Sequence, residues 1–326
     1  MKYKLNLFLL LQLLVFSVGI SFAQENKVSI LFSVLNESGN FYSDLKFSDV
    51  ELRQNKRVLT VDSIKQNVNQ NLEVVIMIDL STSQELVLPL VKKITQSFIN
   101  SVLEHNKDKV AVVGFTGEVT THQNPTGNFA AAKRKISELE IEFPEGYQRG
   151  KFPPGIIIGT FPRIKPTKEQ KKFMTSVWDS VVEVSENNFE KRKLGVQKAI
   201  LLMTDGVDTA SGGKRKNAIE AAIKNNVRVY SIGMGDGALD GISKNDLKEI
   251  TTKTGGLLFI PKVSDELTLV FQSIEQSLRS NYEAVFTPNI SNPKDKLQEV
   301  KIEIINPELR ARKLQIIQPK GFYLSN

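Results

Sequence analysis

The sequence predicts an α/β fold: a doubly wound, mostly parallel sheet, with a small β-sandwich formed by strands flanking it at the N- and C-terminal ends. Three observations carry this reading. Residues 74–78 and 199–203 are unbroken apolar runs, the pattern of strands buried on both faces of a parallel sheet. Apolar residues at helical spacing follow each run, so strands alternate with helices from about 72 to 281. Before 72 and after 281 the pattern becomes alternation at period two, with no helical period.

The first 23 residues read as a secretory signal peptide. Met1-Lys2-Tyr3-Lys4 is a short positive start, residues 7–23 are mostly apolar, and Ser21-Phe22-Ala23 before Gln24 is a small-x-small cleavage pattern. The expectation is an exported protein, in the periplasm, at the cell surface or secreted. No later segment reaches the roughly 18 apolar residues that span a bilayer, so no transmembrane span is expected after signal removal.

The next stretch, 24–70, is the N-terminal β segment. Strands are predicted at 28–34, 49–53 and 58–61, with turns at 36–40 and 54–56. The α/β domain then runs over 71–281. After strand 74–78 comes a helix with apolar positions Val87, Leu90, Val91, Ile94, Phe98 and Val102, and Pro89 in its first turn, where a missing N–H costs little. Further strands are predicted at 110–115, 199–203, 227–232 and 257–260, with a hairpin partner near 118–121. Helices are predicted at 129–139, 168–187, 217–225, 245–252 and 265–279. The C-terminal β segment, 282–326, alternates at 282–286, 299–305 and 313–317. Each β piece has about 45 residues, too few to close a good core alone, so the two are expected to pair with each other. One stretch stands apart. Residues 143–171 form a basic, Pro-rich insert carrying Pro144, Pro153, Pro154, Pro162 and Pro166, and a connection this long inside a domain is expected to be functional or mobile.

Composition narrows the chemistry. The 326 residues include 43 Lys and Arg, 36 Asp and Glu, two His and no Cys, for a net charge of +7. Without Cys there are no disulfides, thiolate metal sites or thiol nucleophiles, and His105 and His122 cannot make a histidine-rich centre. Hard oxygen-ligand chemistry remains, which suits Mg²⁺, Mn²⁺ or Ca²⁺. The basic excess is modest, and nucleic acid is not an expected partner for an exported chain.

The oxygen ligands stand where such a sheet places its site. Asp79-Leu80-Ser81-Thr82-Ser83 follows the first buried strand, and Thr204-Asp205-Gly206 follows another, both at carboxyl ends. Each piece alone reads as a helix N-cap or a turn. Together they place two carboxylates and two hydroxyls at one edge of the sheet.

Asp-x-Ser-x-Ser after the first strand, with Thr-Asp-Gly after a later one, resembles the von Willebrand factor type A (VWA) domain and its metal-ion-dependent adhesion site, as in exported bacterial proteins of that type. The resemblance covers about 72–281. It implies a third element, a Thr before a helix, matched here by Thr175 with Ser176 beside it as the alternative. The implied metal set is Asp79, Ser81, Ser83, Thr175 and Asp205. It further implies a Mg²⁺ (or Mn²⁺ or Ca²⁺) ion whose open position takes an Asp or Glu side chain from a partner protein. An alternative is a structural component of a cell-envelope assembly, with a structural metal and metal-independent contacts. A metal-dependent hydrolase is disfavoured. An aspartyl-nucleophile phosphatase would need a carboxylate where Ser81 stands, and the sequence has no nucleophile elbow and no phosphate-binding loop. No catalytic residue and no organic cofactor is assigned.

Overall fold

The computed structural model describes residues 27–143, 145, 173–190, 196–235, 241–261, 266–289 and 296–324. The expected signal peptide, residues 1–23, lies outside them, as does the 143–171 insert apart from Phe143 and Glu145.

Four strands come first: β1 (Val28–Leu35), β2 (Val50–Gln54), β3 (Arg57–Leu59) and β4 (Val61–Asn67). The central domain follows with β5 (Asn71–Asp79), α1 (Leu88–Val102), β6 (Lys109–Phe115), β7 (Val119–Thr126), α2 (Phe129–Ser137), α3 (Val177–Asn187), β8 (Val196–Thr204) and α4 (Arg215–Lys224). It closes with β9 (Val227–Gly233), α5 (Lys244–Thr254), β10 (Leu258–Phe259) and α6 (Glu266–Arg279). The tail adds β11 (Asn281–Phe286), β12 (Gln298–Ile304), α7 (Pro307–Ala311), β13 (Gln315–Ile317) and β14 (Gly321–Phe322).

The central sheet has the order β10-β9-β8-β5-β6-β7. All its pairings are parallel except that of β7 with β6, the expected hairpin. Successive β5 side chains serve opposite faces, as pleating requires. Leu72, Val74, Ile76 and Ile78 pack with α1, α2 and α6, through Phe98, Ile136 and Phe271. Val75 and Met77 pack with α3, α4 and α5, through Trp178, Ala222 and Ile250. Helices cover both faces, so the sheet is doubly wound.

The flanking strands form two antiparallel sheets, β13-β1-β11-β4 and β14-β12-β2-β3. Each contains strands from both ends of the chain: Phe32 lies opposite Tyr282, and Leu52 opposite Ile302. Phe32, Leu52, Tyr282, Phe286, Ile302 and Phe322 share one core between the sheets.

Several boundaries differ from the sequence reading, each for a local reason. The strand expected at 58–61 is two strands that part at Thr60. β3 turns back on β2 over Asn55 and Lys56, whose positive φ values (49° and 71°) suit a tight hairpin, whereas β4 pairs with β11 in the other sheet. The helix expected at 168–187 begins at Val177. The Thr175 carbonyl is taken by the Thr209 and Ala210 N–H groups, so the helical ladder opens at Ser176 O, which accepts from the Ser180 N–H (3.1 Å); residues 168–172 lie outside the described set. Helix α7 and strand β14 are too short to carry a readable period.

At the amino-terminal edge of the sheet, one buried ion pair ties four elements together. Asp108 is fully buried and accepts from the Leu72 N–H (2.8 Å), the Glu104 N–H (2.7 Å) and Arg279 Nη2 (2.6 Å). Arg279 also donates to Val102 O (2.5 Å) and Gln70 O (3.2 Å). Arg279→Leu strands the Asp108 carboxylate in the interior, so urea unfolding should show a loss of roughly 3–5 kcal/mol. A loss under about 1 kcal/mol, the range of an exposed pair, would contradict this anchoring role.

Candidate metal centre

The strand order decides where the site lies. β5 leads to α1 on one face and its neighbour β8 leads to α4 on the other, so the two connections diverge and leave a crevice above the strand ends. Asp79 ends β5, and Asp205 follows β8 directly.

Four of the five sequence-predicted residues are joined in one hydrogen-bonded cluster. Asp79 Oδ1 accepts from the Ser81 N–H (2.9 Å), and its Oδ2 accepts from Thr204 Oγ1 (2.5 Å). The Ser81 and Ser83 hydroxyls are 3.1 Å apart, and Ser83 Oγ donates to Asp205 Oδ2 (3.0 Å). Asp205 Oδ1 accepts from the Val207 N–H (2.9 Å). Residues Thr82–Gln84 form a single 3₁₀ turn after an extended Ser81, which brings Ser83 round toward Asp205. Gly206 has φ +78°, and a Cβ there would meet Leu247 Cγ at 2.7 Å, so the turn after Asp205 needs glycine.

Among the described residues Thr175 is not bonded to this cluster; its backbone is tied to the loop that follows Asp205. Its N–H donates to Thr209 Oγ1 (2.9 Å), and its carbonyl accepts from the Thr209 and Ala210 N–H groups (2.8 and 3.0 Å). The loop after Asp205 is thereby laced to the start of α3. The Thr175 side chain is nearly buried, and its hydroxyl makes no hydrogen bond to the described residues. Ser176, the alternative, is held by its own N–H to Thr116 O (2.8 Å).

Sequence reasoning missed the residues that hold this framework. Gln84 is buried and donates through Nε2 to Asp205 Oδ2 (2.9 Å), while its Oε1 is buried with no partner among the described residues. Asp208 accepts from the Trp178 N–H (3.0 Å) and Ser211 Oγ (2.5 Å), and Asp179 accepts from the Gly212 and Gly213 N–H groups (2.7 and 3.0 Å). The acidic pattern Asp205-Gly-Val-Asp208 was the available signal, but a loop residue bonding a distant helix start leaves no periodicity.

Burial, and then the negative charge of Asp205, push the Asp79 carboxyl up to about 7, against the hydrogen bonds from Ser81 and Thr204 that favour its ionised form. Two buried acids crowded among hydroxyls make a donor set that suits a hard divalent cation. Among the described residues no three His, Asp or Glu side chains are placed to hold a metal ion, so hydroxyls would have to supply the rest of the shell.

The family model of the von Willebrand factor type A domain matches residues 163–273. The chain carries a VWA domain. The match includes Thr175 and Asp205 and leaves β5 with Asp79, Ser81 and Ser83 outside it. Among solved structures, the chain is similar to the conserved hypothetical protein BatB from Bacteroides thetaiotaomicron, at 18% identity over 63% of this chain and 98% of that one, with a TM-score of 0.46. It is also similar to a von Willebrand factor type A protein from Catenulispora acidiphila, at 13% identity over 92% and 75%, with a TM-score of 0.44. A third is proximal thread matrix protein 1 from the mussel byssus with a zinc-occupied MIDAS motif, at 18% identity over 65% and 48%, with a TM-score of 0.45. None of the curated proteins matches the chain.

The raised Asp79 gives the central α/β domain a defined pH dependence. Its folded value of about 7 lies above the ordinary 3.8, so the metal-free fold keeps this contribution below about pH 4 and loses it as pH rises through about 7. In EDTA, the melting temperature should fall between pH 5 and pH 8, and Asp79→Asn should flatten that fall. An identical slope in the variant would show that Asp79 is not the titrating group.

Proposed function

We propose that this VWA-domain protein is an exported interaction module rather than an enzyme. It binds a partner protein through a divalent cation held by Asp79, Ser81, Ser83, Thr175 and Asp205. The observation that carries the reading is the juxtaposition of Asp79, Ser81, Ser83 and Asp205 in the crevice between the β5 and β8 ends, with Thr175 laced to the same loop. Hydroxyls bring no formal charge, so a bound Mg²⁺, Mn²⁺ or Ca²⁺ ion would keep much of its electrophilic character and attract an Asp or Glu side chain of the partner. Such a contact at a partly desolvated rim is worth several kcal/mol, against about 1 kcal/mol for an exposed ion pair. Export rests on the signal-like residues 1–23; among the described residues no helix is long and apolar enough to cross a membrane.

Calorimetry on the purified chain should show about one Mg²⁺ or Mn²⁺ bound per molecule, with binding lost in Asp79→Ala. Immobilised protein should then capture a partner from envelope extract in Mg²⁺, release it in EDTA, and fail to capture it as Ser81→Ala. Capture that persists in EDTA and in both variants would place the contact elsewhere and favour a structural role in an envelope assembly.

A further inference from the structure

We propose that the groove between α5, β10 and β13 takes an extended acidic peptide of a partner protein as an added β-strand. The proposal stands apart from the metal centre and does not depend on it.

The groove has a volume of about 500 Å³. One wall is a single stripe of α5, with Lys244, Lys248, Thr251 and Thr252 spaced so that they share a face. The other walls come from β10 and β13, each the edge strand of its own sheet. An edge strand presents unpaired backbone groups that an incoming strand can use. The register supplies them at β10. Leu258 lies opposite Ser231, and the Ser231 N–H bonds to Leu257 O (2.9 Å). In a parallel ladder that phase turns the N–H and C=O of Leu258 away from β9 and toward the groove. Half-buried Leu258, Ile260 and Ile316 offer apolar surface for alternate side chains of the guest. The groove is also preformed, because the tail after β13 is fastened to the end of α5 by the Lys320 N–H to Lys253 O bond (2.7 Å).

Charge selects the occupant. Lys244 and Lys248 are exposed, and among the described residues no acidic side chain lines the groove. Neither lysine forms an ion pair among the described residues, although Lys253 on the same helix pairs with Glu249, and Arg215 pairs with Asp246 and Glu249. Lys244 also stands in the first turn of α5, where the helix dipole disfavours a cation. Two unpaired ammonium groups beside the positive end of a helix make a field that a peptide with acidic side chains would satisfy. Each edge is short, which keeps it from templating open-ended pairing, yet both flank one groove.

The test is a phage-displayed library of random peptides of about ten residues, panned on the full chain in EDTA so that no metal-held carboxylate contributes. Acid-rich sequences with alternating apolar residues should be enriched. Synthetic copies should lose about tenfold or more in affinity, by fluorescence anisotropy, on the double change Lys244→Glu, Lys248→Glu. They should lose similarly on Leu258→Pro, which deletes an outward N–H without costing a ladder bond. Should Leu258→Pro melt early, slowed amide exchange at Leu258 in the peptide-bound parent chain reads the same contact. No enrichment, enriched peptides lacking acids, or affinity indifferent to the lysine changes would overturn the proposal. Dimerisation abolished by the same lysine changes, with no peptide bound, would assign the groove to a second copy and overturn it equally.

Discussion

β5 lies between β8 and β6 with helices on both faces, so every side chain from Leu72 to Asp79 is buried. The rest of the structure answers to that constraint. A strand with no wet face must be apolar along its length, and each polar group on it must find a protein partner. Glu73 accepts the Glu190 N–H (2.7 Å), and burial raises its carboxyl above the ordinary range. Asp79 is held by the Ser81 N–H and by the Thr204 hydroxyl at the end of β8.

The two ends of β5 carry different duties. At the amino end, the Leu72 N–H meets Asp108, and Arg279 closes the charge. Arg279 is the last residue of α6, and β11 begins two residues later, so the same anchor sets where the sandwich attaches. Further polar contacts join the pieces there. Ser33 Oγ of β1 donates to Ser277 O (2.8 Å), Arg228 Nη1 of β9 donates to the same carbonyl (3.0 Å), and the Tyr230 and Ser277 hydroxyls are 2.7 Å apart. A buried guanidinium at the carboxyl end of α6 is favoured by the helix dipole. The sandwich therefore sits at the amino edge of the central sheet, and the carboxyl edge with Asp79 and Asp205 stays clear of it.

That separation bears on function. The candidate metal centre is built from loops that are bonded mainly to one another: Thr175 to Thr209, Trp178 to Asp208, Ser83 and Gln84 to Asp205. Its shape is set before any ligand arrives, which lowers the ordering cost of binding. Thr82 lies in the right-handed 3₁₀ turn and suffers no positive-φ strain. The α5–β10–β13 groove draws instead on the seam between the central sheet and the sandwich, and its two edge strands belong to different sheets.

By itself the sequence determined which segments are buried and with what period. The short unbroken runs at 74–78 and 199–203 have the length of strands sealed on both faces, which puts Asp79, Ser81, Ser83 and Asp205 after their carboxyl ends. It also required the two β ends to share a core, since neither holds enough apolar surface alone. Tertiary structure decided the partners. That Phe32 faces Tyr282, that the chain changes sheets at Thr60, and that β5 and β8 are neighbours with diverging connections are facts about pairing, and periodicity reports only local burial. The same holds for Gln84 and Asp208, whose bonds to Asp205 and to the Trp178 N–H span long stretches of chain and leave no trace in local pattern.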